Sequence, residues 1–163
     1  NSGTKKHLGN IAYGKESFVA VGNNGIVITS PDGNKWTKRN SRTKTSLYGV
    51  TFGKESFVAV GNGGSIITSS DGKNWNKRKS GTSIEFNEVI YANDSFMAFG
   101  FKGIIRISTN GQSWTKIKSG TRMGLLGATH GKSTLIAVGN SGNITTSPDG
   151  KKWTKNCRLR YFK

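Results

Sequence analysis

The chain has 163 residues, enough for one domain with a core of its own, and a third of them are hydrophobic. Its 25 Lys and Arg against 8 Asp and Glu give a formal charge of +17, which attracts polyanions through summed, salt-screened fields. No apolar run approaches the ~18 residues of a membrane span. The single Cys157 excludes an internal disulfide framework, and the isolated His7 and His130 match no zinc-ligand spacing, so no metal or cofactor is expected. Asn1 to Lys6 hold no initiating Met and no apolar signal region, the pattern of a mature product or an excised domain. Nothing in them fixes the compartment.

Along the chain the four tryptophans, Trp36, Trp75, Trp114 and Trp153, recur every 39 residues. The same step carries Asp32-Gly33 to Asp71-Gly72, Asn110-Gly111 and Asp149-Gly150, and Gly22 to Gly61, Gly100 and Gly139. A period of that length means stacked copies of one supersecondary unit. Each copy reads as four strands. The first runs around Leu8–Tyr13, Leu47–Phe52, Phe86–Tyr91 and Leu125–His130, and a polar turn follows. Next come short apolar runs beginning at Phe18, Phe57, Phe96 and Leu135, bounded by Gly as expected of strands buried on both faces. Gly- and Asn-rich tetrads such as Gly22 to Gly25 then reverse the chain, because these residues tolerate positive φ. A third strand, as in Ile26–Thr29 and Ile66–Thr68, leads to the Asp-Gly turn, after which Trp opens a basic fourth strand. No helical period is sustained. The expected fold is all-β: a small β-propeller, four blades of four antiparallel strands.

The stretches Thr29-Ser30-Pro31-Asp32-Gly33-Asn34-Lys35-Trp36 and Thr68-Ser69-Ser70-Asp71-Gly72-Lys73-Asn74-Trp75 resemble the Asp-box repeats of sialidase-like bacterial propellers. The likeness extends over essentially the whole chain. It departs from that family's S-x-D-x-G-x-x-W in placing Asp beside Gly, and Asn110 replaces the Asp of the third copy. The resemblance implies a box that serves folding, not catalysis, and favours an extracellular or cell-surface setting. Residues 1–163 then form a single propeller domain with blades at about 7–43, 44–82, 83–121 and 122–160. The chain spans four periods and seven further residues, and its two ends share one phase. A closed monomeric ring with adjacent termini satisfies that phase. So does a half ring that dimerises into eight blades, or an excerpt of a longer array. The divergent Arg158-Leu159-Arg160-Tyr161-Phe162 suits a cap on the last blade.

An enzyme is not expected. Of the eight carboxylates, Asp32, Asp71, Asp149, Glu16, Glu55 and Asp94 occupy repeated positions, and a residue repeated around a ring points several ways. The unique pair, Glu85 and Glu88, lies three apart on a strand and so faces opposite sides, which suits neither glycosidase spacing. Arg42, Arg106 and Arg122 compose no sialidase motif.

Binding is expected where the repeat is broken, in the loops between blades and the glycine-rich loops, which share one propeller face. Arg42 and Lys44 mark the first connection, Glu85 the second and Arg122 the third, while Phe101-Lys102 alone adds bulk to a glycine loop. Phe101 either offers an aromatic contact beside a cation or packs on a neighbouring loop. Arg106, which replaces Ile28, Ile67 and Thr145, is either a buried partner for Glu88 or a surface tip. Each Trp is followed two residues on by a lysine, as in Trp75 and Lys77, whose stem can cover the indole. Charged outer strands also discourage edge-to-edge aggregation. The resulting expectation is a non-enzymatic binding or scaffold module for a polyanion, either an anionic glycan or nucleic acid. The alternatives are a glycan-binding or glycan-processing domain and a structural repeat without a ligand.

Overall fold

Each 39-residue period folds into one four-stranded antiparallel sheet, its strands hydrogen-bonded in chain order. The computed structural model describes residues 2–156. Blade 1 consists of β1 (Leu8–Gly14), β2 (Ser17–Gly22), β3 (Val27–Ser30) and β4 (Thr37–Arg39). Blade 2 holds β5 (Leu47–Gly53), β6 (Ser56–Gly61), β7 (Ile66–Ser69) and β8 (Asn76–Arg78). Blade 3 holds β9 (Phe86–Ala92), β10 (Ser95–Gly100), β11 (Ile105–Ser108) and β12 (Thr115–Ile117). Blade 4 holds β13 (Leu125–Gly131), β14 (Thr134–Gly139), β15 (Asn143–Ser147) and β16 (Thr154–Lys155). The protein is an all-β propeller of four blades. No helix among the described residues is long and apolar enough to cross a membrane.

Local chemistry sets the turns. The first two strands of every blade are joined by a two-residue loop with both residues at positive φ, as at Lys15 (48°) and Glu16 (55°), the twist that suits a tight hairpin. The turn before the outer strand is organised by its Asp. Asp32 accepts the N–H groups of Asn34 (2.9 Å) and Lys35 (3.0 Å) and the hydroxyl of Ser30 (2.9 Å). Asn110 does the same work in blade 3 for Gln112 and Ser113. The indole N–H of each Trp donates to the carbonyl of the turn glycine, at 2.9 Å for Trp75 and Gly72. That bond holds Trp in the turn, so the fourth strand begins one residue later than the sequence suggests, at Thr37 instead of Trp36.

The core lies between blades. Val19, Val21 and Val27 of blade 1 interlock with Leu47, Val50, Phe57, Ala59, Ile67 and Trp75 of blade 2. Val58, Val60 and Ile66 repeat the arrangement against blade 3, and Met97, Phe99 and Ile105 against blade 4. Two glycines make these joints close. A Cβ on Gly14 would fall within the Phe52 ring, and one on Gly53 within the Tyr91 ring.

A closed four-bladed ring with meeting termini, one of the arrangements compatible with the repeat phase, is not what forms. Gly131, the blade 4 counterpart of Gly14 and Gly53, has nothing within 4 Å of its Cβ direction. Tyr13, the counterpart of Phe52 and Tyr91, is 58% exposed. The blades therefore form an open arc. Phase arithmetic cannot see this, because the rotation from blade to blade is set by side-chain bulk in the joint. The proposed cap at Arg158 to Phe162, like Cys157, lies outside the described residues.

Two outcomes are expected from this architecture. Trp75 is fully buried, so Trp75→Ala should destabilise the fold by roughly 3–5 kcal/mol in chemical denaturation; a change below about 1 kcal/mol would contradict its place in the joint. The second concerns acid. Backbone N–H groups hold the Asp32 and Asp149 carboxyls below the ordinary 3.8. Asp71 is likewise lowered: desolvation acts against it, and hydrogen bonds from Asn74, Lys73 and Ser69 prevail. A lowered folded pKa stabilises above the unfolded value and is lost as pH falls through the folded one. Thermal stability should therefore be complete above the ordinary value and fall below it. Asp71→Asn, which copies the natural Asn110, should shallow that fall; an unchanged acid limb would exclude Asp71 as a contributor.

Candidate functional site

The glycine-rich loops and the inter-blade connections meet on one face. In blade 1 the Ser41 hydroxyl donates to the Gly25 carbonyl at 2.6 Å, and a Cβ on Gly25 would strike the Thr43 carbonyl. The third residue of each glycine-loop tetrad sits in the left-handed region: Asn24, Gly63, Lys102 and Ser141. Lysine is the least suited of these, so Lys102 (φ 54°) carries a backbone cost of about 1 kcal/mol or more.

Three clefts open along this face, one for each of blades 1 to 3, with volumes of 440, 470 and 800 Å³. The largest is lined by Lys102, Arg106, Lys116, Lys118 and Arg122, and by no carboxylate. Its walls are the blade 2 to 3 connection at Gly81, Thr82 and Ile84 and the blade 3 to 4 connection from Ser119 to Arg122.

Arg106 distinguishes this cleft from its sisters. In blades 1 and 2 an arginine on the outer strand is satisfied by the neighbouring threonine: Arg39 Nε donates to Thr29 (2.9 Å) and Arg78 Nε to Thr68 (2.8 Å). Blade 3 has Ile117 and Ile107 at those two positions and moves the guanidinium inward to Arg106, where blades 1 and 2 have Ile28 and Ile67. Arg106 is 9% exposed, and its Nη2 donates to the Gly81 carbonyl at 2.7 Å. Its Nε is buried without a partner. Desolvation pulls the guanidinium below its ordinary pKa. A buried cation with an unmade donor is costly to the free protein and is relieved by a carboxylate, sulfate or phosphate.

The residues singled out from sequence divide accordingly. Lys102 and Arg122 line the blade 3 cleft. Phe101, 37% exposed, packs against Gly124 of the next connection, and its N–H donates to the Glu85 carbonyl at 3.1 Å. Glu85 thus borders the site through its backbone. Arg42 and Lys44 are exposed on the first connection and line none of the three clefts. Arg106 does not pair with Glu88: the ion pair found among the described residues joins Lys15 to Glu55. Glu88 is instead held by the Val89 N–H (2.9 Å), and desolvation raises its pKa despite that bond. Lys116 and Lys118 read from sequence as outer-strand charge. What marks them as site residues is the paired loss of Thr and Arg at positions 107 and 117 beside the gain of Arg106. Among the described residues no group of three or more His, Cys, Asp or Glu could hold a metal ion.

Residues 57–160 match the model of the DUF6242 beta propeller domain, and the chain belongs to that family. No curated protein matches it by sequence. Among solved structures it is similar to YCF48 from Cyanidioschyzon merolae, at 20% identity and a TM-score of 0.74, over 96% of this chain and 57% of that one. It is equally similar to a YCF48 bound to D1 peptide, at 17% identity and a TM-score of 0.74, over 94% and 55% of the two chains. The chain thus spans a little over half the length of these structures. The computationally designed Ika4 protein matches with 10% identity and a TM-score of 0.73, over 89% of this chain and 92% of that one.

Arg106→Ile restores the residue of blades 1 and 2 and leaves the Gly81 carbonyl, at an exposed glycine, to water. It should stabilise the fold by roughly 1–3 kcal/mol, the usual cost of a buried donor left unmade. A destabilised variant in urea titration would show that Arg106 is structural.

Proposed function

We propose that this member of the DUF6242 beta propeller domain family is a non-enzymatic binding module that holds an anionic polymer along its loop face, with Arg106 taking one of the polymer's carboxylate, sulfate or phosphate groups. The observation that carries the reading is the unpaired, buried Nε of Arg106 in a cleft of basic residues without a carboxylate. The neighbouring clefts support a polymer over a small anion. Thr43 is shared by the blade 1 and blade 2 clefts, and Gly81 and Thr82 by those of blades 2 and 3. The three are therefore contiguous, and Lys6, Lys38 and Arg39, then Lys77, Arg78 and Lys79, continue the basic lining. Glycan processing is less well supported, since neither Glu85 nor Glu88 lines the large cleft. The short Asp-Gly turn remains the reason to place the chain near Asp-box propellers. An acidic peptide is the second candidate ligand, because a structural neighbour is a YCF48 with a peptide bound.

Titrating a heparin-like glycan, single-stranded DNA and an Asp/Glu-rich peptide at several salt concentrations tests this. Affinity should fall steeply with salt as condensed counterions are released, by about 0.7–0.9 log units per log unit of salt for each phosphate neutralised on a nucleic acid. Arg106→Ile, although folded, should lose about tenfold or more, as for a charge-assisted pair, and Arg122→Ala should also weaken binding. Lys77→Ala should matter little, as one of many screened contacts. Absence of binding to all three at low salt would leave the structural-repeat reading standing.

A further inference from the structure

The three blade joints are copies of one another, and each has two halves. One half is the triplet Val19, Val21 and Val27, repeated as Val58, Val60 and Ile66 and as Met97, Phe99 and Ile105; all nine side chains are no more than 1% exposed. The other half is the opposite face of the next blade, with Leu47, Val50, Phe57 and Trp75 in blade 2. The arc ends on one of each. Blade 4 presents the triplet as Ile136, Val138 and Ile144, at 36, 45 and 41% exposed. Blade 1 presents the complement, Leu8, Ile11, Phe18 and Trp36, with Ile11 53% exposed.

The polar features of the joint are split in the same way. Within the arc, the Lys15 side chain of one blade pairs with Glu55 of the next. Lys54 Nζ donates to the Thr109 carbonyl (3.0 Å), and Asn93 Nδ2 to the Pro148 carbonyl (3.3 Å), one period apart. At the open ends the corresponding donor is Lys132 of blade 4. Its counterparts on blade 1 are Glu16 and the Pro31 carbonyl. Turn glycines agree: Gly72, Gly111 and Gly150 sit against Val19, Val58 and Met97 of the preceding blade, whereas Gly33 meets just Phe18 of its own blade. By the same rule its missing neighbour is Ile136.

We propose that two copies of this chain pair head to tail, blade 4 of each on blade 1 of the other, to close an eight-bladed ring. The surface that fits each end already exists on the other end of the same chain, in shape, apolar character and charge. Two copies related by a two-fold axis are the smallest assembly that covers both ends at once, and a pairing that closes leaves no surface for a filament. The designed protein that matches over 92% of its own length shows that a chain of about this size takes a similar fold. The charge of +17 on each copy opposes association. At 0.15 M salt, exposed charges more than ~8 Å apart are largely screened, and Lys132 and Glu16 attract across the joint.

Sedimentation at micromolar concentration and 0.15 M salt should give the mass of two chains. Val138→Asp replaces an exposed side chain, so it should keep the circular dichroism of the fold and reduce the mass to one chain. Tyr13→Cys with Gly131→Cys, in a Cys157→Ser background, places a thiol pair where Phe52 crowds Gly14 within the arc. Oxidation should yield a covalent two-chain species on non-reducing electrophoresis. A single-chain mass for the unaltered protein, an intrachain bond marking a four-bladed closure, or open-ended growth would each overturn the proposal.

Discussion

A four-stranded sheet with two apolar faces has no stable existence by itself, and everything in this protein follows from how those faces are covered. Three valines on one blade enter the hollow formed by a Leu, a Phe and a Trp on the next. The Trp is placed there by the Asp turn, which fixes the loop while the indole N–H is tied to the turn glycine. Burying such a ring without its hydrogen bond would leave a donor unmade. The 39-residue period is thus the length needed to present one triplet, one hollow and one turn in fixed relation. Because the turn glycines of blades 2, 3 and 4 also touch the preceding blade, turn and joint are one unit.

This coupling explains what could be read from the residues and what could not. The Trp spacing and the apolar runs from Phe18, Phe57 and Phe96 expose the blades, because strand burial demands uninterrupted apolar sequence there. The sheet order follows from turns too short for any other path. Curvature was hidden: Gly14, Gly53 and Gly131 look alike in sequence, yet two of them receive an aromatic ring and the third receives nothing. Sequence leaves Phe101 open between a ligand contact and packing on a neighbouring loop; its ring lies against Gly124 while remaining 37% exposed. Lys116 and Lys118 read from sequence as edge charge, because the cleft that sets them beside Arg106 is formed by two connections distant in the chain.

Blade 3 holds most of the departures, and they are mutually dependent. Arg106 occupies a joint position that is Ile in blades 1 and 2, so the joint loses apolar contact there. The outer-strand arginine and its threonine are exchanged together for Ile117 and Ile107, which pack against the next joint. Lys102 adopts a left-handed conformation that Asn24 and Gly63 enter more easily. Arg106, with its unmade donor, and Lys102, in the left-handed region, each weaken the free domain. Together they give blade 3 the largest of the three basic clefts and the one with a buried guanidinium, the pattern expected where stability is given up for the proposed ligand.

The basic surface then has two parts with different physics. Lysines on turns and outer strands are exposed, screened and repeated, so they contribute a long-range field that raises the encounter rate of any polyanion and discriminates little among them. Arg106 is unique, desolvated and geometrically constrained by Gly81, so the contact proposed for it acts at short range and depends on the placement of the anionic group. On the proposed function, a polymer running through the contiguous clefts engages both, gaining affinity from the repeated lysines and register from the one arginine. Register is what a purely repetitive surface lacks, since a ligand can slide by one blade at no cost. One buried guanidinium among four nearly equivalent blades is enough to break that degeneracy.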